Sequence, residues 1–209
     1  MFKKDVSISS RSKLKTSQQR ALREKFRTAY PLLEPCLDAA LGAKNEQWEL
    51  LKLKVKGEEN KEKEKVEVHS VNLYVLPGGK AGESRPLFYE TKDDLVPHLK
   101  LVHRFPDAWP RLRIDRGAIR FVLSGAKLAA PGLTSPGGRL PGEGEDEDRY
   151  GSEELEEGKV VVIEAEGKEH ACMVGTLLMS TDKMKREKKG YAMDDGHYLG
   201  DHLWSLPLD

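Results

Sequence analysis

The sequence is poor in the features that mark several common classes of protein. It has two cysteines in 209 residues, Cys36 and Cys172, and no CxxC spacing. A disulfide framework and the standard zinc patterns are therefore not expected. Each cysteine sits among apolar residues, Cys36 in a helical pattern and Cys172 in a strand-like one, and both read as buried free thiols. No stretch approaches the roughly 18 apolar residues of a membrane span. The opening MFKKDVSISS lacks the apolar core of a secretory leader, so the expectation is a cytoplasmic protein with no membrane partner. Catalytic signatures are missing as well. There is no GxSxG or HExxH, no obvious catalytic pair of carboxylates, and PGGKAGES (77–84) lacks the GxxxxGK[ST] spacing of a phosphate-binding loop. Nothing in this inventory calls for an enzyme, a cofactor or a metal.

Net charge is absent too, since 35 basic residues balance 35 acidic ones, yet the charges are unevenly spread. The first thirty residues carry Lys3, Lys4, Arg11, Lys13, Lys15, Arg20, Arg23, Lys25 and Arg27 against Asp5 and Glu24, while residues 143–157 are strongly acidic. Such asymmetry suggests a polyanionic partner, with a solvated helix face as the plainer reading.

Periodicity divides the chain. Thr16 and Gln19 have capping-box spacing ahead of Leu22, Phe26 and Ala29 at helical intervals. Pro31 breaks that helix, and a second one, carrying Leu33, Cys36, Leu37, Ala40 and Leu41, stops at Gly42. Leu51, Leu53 and Val55 then alternate with Lys52, Lys54 and Lys56, the pattern of a half-buried strand. GEENKEKEK (57–65) reads as a mobile hairpin loop, residues 66–76 and 86–90 as strands. Asp93 or Asp94 is placed to cap a third helix with Leu95, Leu99, Val102 and Phe105 inward. The run DAWPRLR (107–113) marks a joint between domains 1–110 and 111–209.

Beyond the joint, a short strand ends at Ile114, and Asp115 is placed to cap a helix with Ala118, Phe121 and Val122 toward the core. Gly125 closes that helix, AKLAA is a strand and PGLTSPGG a loop. Residues 139–158 form an acidic, glycine-containing insertion. VVVIEAEGKEHACMVGTLLM gives two strands around a turn at Gly167, and further short strands close a small β-barrel. On the helix, Arg116 and Arg120 share a face. Gly132, Gly137 and Gly138 in the loop leave room for a ligand to approach the peptide groups. Room, N–H donors and arginines together suit a nucleic-acid phosphate. His197 and His202 lie near three aspartates, but their spacing fits no standard zinc site. His170 and Cys172 share a strand face without a third catalytic group.

The run DRGAIRFVLSGAKLAAPGLTSPGG, with VVVIEAEGKEHACMVG and HYLGDHLW after it, resembles the PUA domain, an RNA-binding pseudo-barrel. The MFKK start, SRSKLKTS, and LVPHLKLVHRFPDAWP resemble the N-terminal domain of the malignant T-cell-amplified sequence protein family, so the resemblance covers nearly the whole chain. It implies an α+β protein: an N-terminal α/β domain followed by a C-terminal PUA-type β pseudo-barrel. It also implies a non-enzymatic translation factor, paired with density-regulated protein and bound to the small ribosomal subunit. Such a factor acts in non-standard initiation, reinitiation and release of leftover tRNA, with tRNA or ribosomal RNA as its ligand. The RNA-facing positions carried over by the resemblance are Arg116, Gly117, Arg120, Gly125, Lys127 and Gly132, with Lys168 at the Gly167 turn. Longer loops at 57–65 and 77–85, the acidic insertion, and small residues in AKLAAPG depart from the family pattern. The insertion would oppose RNA if it lay against the phosphate-binding face. An alternative function is a protein–protein adaptor whose PUA surface binds no RNA.

Overall fold

Period-two patterning sets the first sheet. In the computed structural model, which describes residues 1–60, 65–78, 82–92, 94–143 and 147–209, five antiparallel strands lie side by side in chain order. They are β1 (Val6–Lys13), β2 (Glu49–Asn60), β3 (Lys65–Leu76), β4 (Arg85–Glu90) and β5 (Leu95–Pro97). Leu51, Leu53 and Val55 are buried on one face together with Val71, Leu73 and Tyr89, and Lys52, Lys54 and Lys56 are exposed on the other. The helices α1 (Thr16–Ala29), α2 (Leu37–Leu41) and α3 (Leu99–Arg104) complete this unit. Phe26 of α1 stacks on Phe88 at 4.7 Å, and Trp48 and Tyr74 meet the same ring at 5.5 and 4.8 Å. Each fully buried ring of this kind contributes about 1.5–3 kcal/mol.

Several local expectations are corrected. Thr16 does not cap α1. The cap position is Lys15, with no side-chain bond, because the Gln19 side chain is engaged elsewhere. Its amide donates to Glu46 O at 2.7 Å and accepts from Trp48 N at 2.9 Å, tying the helix to the approach of β2. The buried residues of α1 are Gln19, Arg23 and Phe26, while Ala29 is exposed. A tight helical turn over Pro31–Cys36 precedes α2, and Gly42 ends it at φ +83° as expected. Leu95 belongs to a strand, and α3 is capped by His98, whose Nδ1 accepts from Lys100 N at 3.0 Å. Of that cap expectation, Asp93 lies outside the described residues. The charged run 57–65 continues β2 to Asn60 and opens β3 at Lys65; residues 61–64 lie outside the described residues.

The second unit is Trp109–Asp201. β6 (Arg111–Ile114) is followed by α4 (Ile119–Leu123), β7 (Leu128–Ala129), α5 (Pro131–Thr134) and α6 (Glu147–Tyr150). Then come β8 (Val160–Ala165), β9 (Met173–Thr176), α7 (Thr181–Glu187), β10 (Tyr191–Met193) and β11 (His197–Tyr198). A four-stranded sheet has the order β11-β9-β8-β6, with β6 parallel to β8, and β10 pairs with β7. Leu112, Ile114, Val122, Leu133, Leu140, Val161, Ile163 and Met184 fill the core between them. The whole chain is thus a mixed α+β protein with a helical and sheet unit ahead of a β pseudo-barrel. PGLTSPGG is not simply a loop, since its first four residues make α5. The tail His202–Asp209 packs with Met1–Ala108, whereas the sequence reading kept it in the second domain. There His202 N donates to Phe2 O at 3.1 Å, and Leu203, Leu206 and Leu208 are buried.

The acidic insertion is fastened down at its described residues. Within α6, Arg149 makes two bonds to the buried Glu164 carboxylate, at 2.9 and 3.0 Å, and the Tyr150 hydroxyl donates to it at 3.2 Å. Arg111 reaches the same carboxylate from β6 at 3.2 Å. Lys185 of α7 bonds Glu154 at 2.5 Å and the Pro141 carbonyl.

Candidate nucleic-acid interface

The turn after β6 is built around Asp115. Its Oδ1 accepts from Ala118 N at 2.9 Å, and its Oδ2 accepts from the Ser135 hydroxyl at 2.7 Å. One carboxylate thereby ties the entry of α4 to the end of α5. Its backbone N–H donates to Gly132 O at 2.8 Å, closing α5 onto the same turn. A Cβ added at Gly132 would lie 2.9 Å from that of Ala118. Gly132 is therefore needed for close helix-to-turn packing. Gly125 ends α4 at φ +73°, a left-handed conformation that glycine adopts without strain. Gly138 is pressed against the Leu133 backbone, and Gly137 against Glu166 and Asp115. The three loop glycines serve these internal contacts. They do not form the open cradle of peptide groups that their spacing suggested.

What the turn and the two helices enclose is a groove of about 630 Å³, whose lining includes Gly117, Arg120, Phe121, Lys127, Pro131 and Gly132. Four of the positions carried over by resemblance, Gly117, Arg120, Lys127 and Gly132, thus meet at one place. Arg116 is exposed on the turn, its N–H donating to Glu166 at 3.2 Å, and Gly125 lies behind the helix end; neither lines the groove. Lys168 is exposed in the β8–β9 turn, also away from the groove lining.

Phe121 departs from the sequence reading. It is not a core residue: its ring is 52% exposed, with the Arg120 guanidinium 4.7 Å from its centroid. Of the three residues expected to face the core, Val122 is buried and Ala118, partly buried, packs against the core. Tyr191 of β10 is also largely exposed, and Lys127 stands 5.5 Å from its ring. Lys127 is not a free cation. Its ammonium bonds Asp194 at 2.7 Å, and that hydrogen bond holds the lysine above its usual range. The guanidinium groups of Arg116 and Arg120 have no carboxylate partner among the described residues. The site therefore offers two unneutralised guanidiniums, one masked lysine, an exposed aromatic ring on the groove and a second ring beside Lys127. Tyr191 escaped the sequence reading, and Asp194 was read only as a neighbour of His197 and His202, because both arrive here from β10 and its following turn, about sixty residues away. An aromatic directly after the lysines and glycine of KKGY was the available signal.

The remaining candidates resolve without a site. His170 is exposed, whereas Cys172 is buried with its thiol toward the Ile163 carbonyl at 3.4 Å. Burial pushes that thiol up to about 12, so it is no nucleophile. Cys36 is only half-buried, against expectation. His197 is fully buried on Asp201 at 2.8 Å while His202 is exposed in the other unit, so the two do not converge. Among the described residues no group of three potential metal ligands occurs, and no helix is long and apolar enough to cross a membrane.

Comparison with known proteins gives this geometry a context. A Pre-PUA-like domain matches residues 2–106 and a PUA domain residues 110–199. The chain is 39% identical to translation machinery-associated protein 20 of Saccharomyces cerevisiae, over the full length of both. The chain belongs to that family. Its animal relatives include the malignant T-cell-amplified sequence 1 homolog of Drosophila melanogaster, at 36% identity over 97% of this chain and 94% of the relative. Human malignant T-cell-amplified sequence 2 is 31% identical over 99% and 98%. A PUA-domain protein from Aeropyrum pernix shares the fold at a TM-score of 0.61 and 20% identity, across 95% of this chain and 90% of that one. The chain thus joins a Pre-PUA-like unit to a PUA barrel, and its fungal relatives are named for association with the translation machinery. None of the described residues of the insertion, 139–143 and 147–158, lines the Arg120–Lys127 groove.

Proposed function

We propose that this chain is a non-enzymatic, cytoplasmic translation factor that holds RNA in the groove between α4 and α5. The observation that carries this reading is the exposed Phe121 ring on a groove lined by Arg120 and Lys127, with Arg116 exposed on the turn between the lining residues Asp115 and Gly117. A ring face and nearby cations are what an unpaired nucleotide needs for stacking and phosphate neutralisation. Full-length similarity to translation machinery-associated proteins supports a ribosomal setting. Within it, the chain works as a heterodimer with density-regulated protein on the small ribosomal subunit, in non-standard initiation, reinitiation and removal of leftover tRNA. Its contribution is positioning and electrostatics, with no bond made or broken. Among the carried-over positions, Arg116, Arg120 and Lys127 meet RNA directly. Gly117 gives access to the groove, Gly125 and Gly132 hold its shape, and Lys168 adds charge from a separate turn.

The test is co-sedimentation with small ribosomal subunits, with and without density-regulated protein, at two salt concentrations. Wild type should pellet in a salt-sensitive manner, and Arg116→Glu, Arg120→Glu, Lys127→Glu together should remain in the supernatant. Equal pelleting of both whenever the partner is present would instead identify a protein–protein adaptor.

A further inference from the structure

A basic surface separate from the groove lies in the first unit. Lys52, Lys54 and Lys56 alternate with the buried Leu51, Leu53 and Val55 and project together from the opposite face of β2. They are spaced roughly 6.7 Å apart along the strand. The register sets hydroxyl and amide groups beside Lys52 and Lys54, and the exposed Val68 opposite Lys56. Ser10 and Asn72 lie opposite Lys52 on β1 and β3, and Ser7 and Ser70 lie opposite Lys54. Lys56 is tied to Asp5 at 3.0 Å, and this contact holds the Asp5 carboxyl below its usual range. Lys52 and Lys54 have no carboxylate partner among the described residues. Across the sheet, Glu90 accepts from Asn72 and Tyr74 at 3.1 and 3.0 Å and so bounds the patch on that side.

We propose that this sheet face, centred on Lys52 and Lys54, binds the phosphate backbone of double-helical RNA. The composition decides between backbone and base. The patch has evenly spaced ammonium groups and short hydroxyl donors, which position phosphates, and among the described residues no exposed aromatic ring that would stack on a base. Its chemistry complements that of the groove, where a ring face accompanies the arginines. The first unit then supplies sequence-independent, salt-sensitive attachment to folded RNA, and the second takes an unpaired nucleotide. This assignment extends the RNA-binding reading but stands on separate residues in a separate unit.

Binding of the full chain to two probes separates the two surfaces: a blunt RNA duplex, and the same duplex carrying a short single-stranded 3′ overhang. Fluorescence anisotropy across a salt series reads both. Lys52→Gln with Lys54→Gln should weaken the blunt duplex by roughly tenfold at low salt and make the log–log salt slope shallower by about 1.8, since each phosphate contact contributes about 0.9. Lys52→Arg with Lys54→Arg should keep wild-type binding, which a purely structural role of lysine would not predict. The extra affinity given by the overhang should survive the glutamine changes. Unchanged duplex affinity and slope in the glutamine variant would overturn the proposal. A wild-type chain that binds the duplex normally but gains nothing from the overhang would overturn the groove reading and leave this one standing. Loss of association with density-regulated protein alone, with duplex binding intact, would show that the face serves a protein and would also overturn it.

Discussion

Replacing Phe121 by alanine separates folding from binding more cleanly than any other change at the groove. The ring is 52% exposed, so about half of its area is buried in the folded chain. Full burial of a phenylalanine is worth about 1.5–3 kcal/mol, which makes the loss of packing about 1 kcal/mol. The exposed contact with Arg120 adds about 0.5–1 kcal/mol at most. The variant should therefore fold, with a modest drop in melting temperature. Its RNA affinity should fall much further. Base–aromatic stacking is worth about 1–3 kcal/mol per base, or roughly five- to 140-fold in Kd. Phe121→Tyr should restore most of it, because the ring face remains. The assay is anisotropy with a short single-stranded oligoribonucleotide, accompanied by a thermal melt of each variant. A Phe121→Ala chain that melts as expected yet binds within about twofold of wild type would refute the stacking argument, whatever the arginines do.

Three further outcomes follow from the geometry. Asp194→Asn should release Lys127 from its 2.7 Å contact and strengthen RNA binding several-fold at low salt, with a steeper salt dependence, in the same anisotropy assay. Gly125→Ala should destabilise the second unit by about 1–2 kcal/mol, read by denaturant unfolding, because φ +73° strains any residue with a Cβ. Cys172, held up to about 12 by burial, should resist alkylation in the folded chain at neutral pH, while the half-buried Cys36 is modified first. The neutral thiol favours folding most below the ordinary thiol range of about 8.5. Stability should decline as pH rises from there toward 12, and Cys172→Ala should flatten that part of the pH–stability curve.

β2 was legible in the sequence because burial on one face leaves a period of two in Leu51, Leu53 and Val55, whereas β8 was legible as a continuous apolar run, buried at every position. β1 was not legible, since nearly all of its residues are exposed and it carries no apolar stripe. It is held by pairing with β2, a long-range contact that local pattern does not encode. Phe121 shows the opposite failure. An aromatic at helical spacing from Ala118 reads as core, but α4 has five residues and only Val122 among them is buried. The glycines of 132–138 were visible as small residues, yet only the fold shows that their missing side chains admit Ala118, Leu133 and Glu166. The carboxylates of the insertion looked free to interfere with RNA. Buried Glu164 lies in β8, and nothing at 149–150 announced that Arg149 and Tyr150 would anchor there.

The return of residues 202–209 to the first unit has a consequence for how the molecule is made. A ribosome synthesising this chain releases all of β1–β5 early, but the leucines at 203, 206 and 208 that complete their packing emerge only after the whole of Trp109–Asp201. The barrel can close while its predecessor is still waiting for its final piece. A premature stop just after Asp201 would therefore spare the barrel and damage the unit that was begun first.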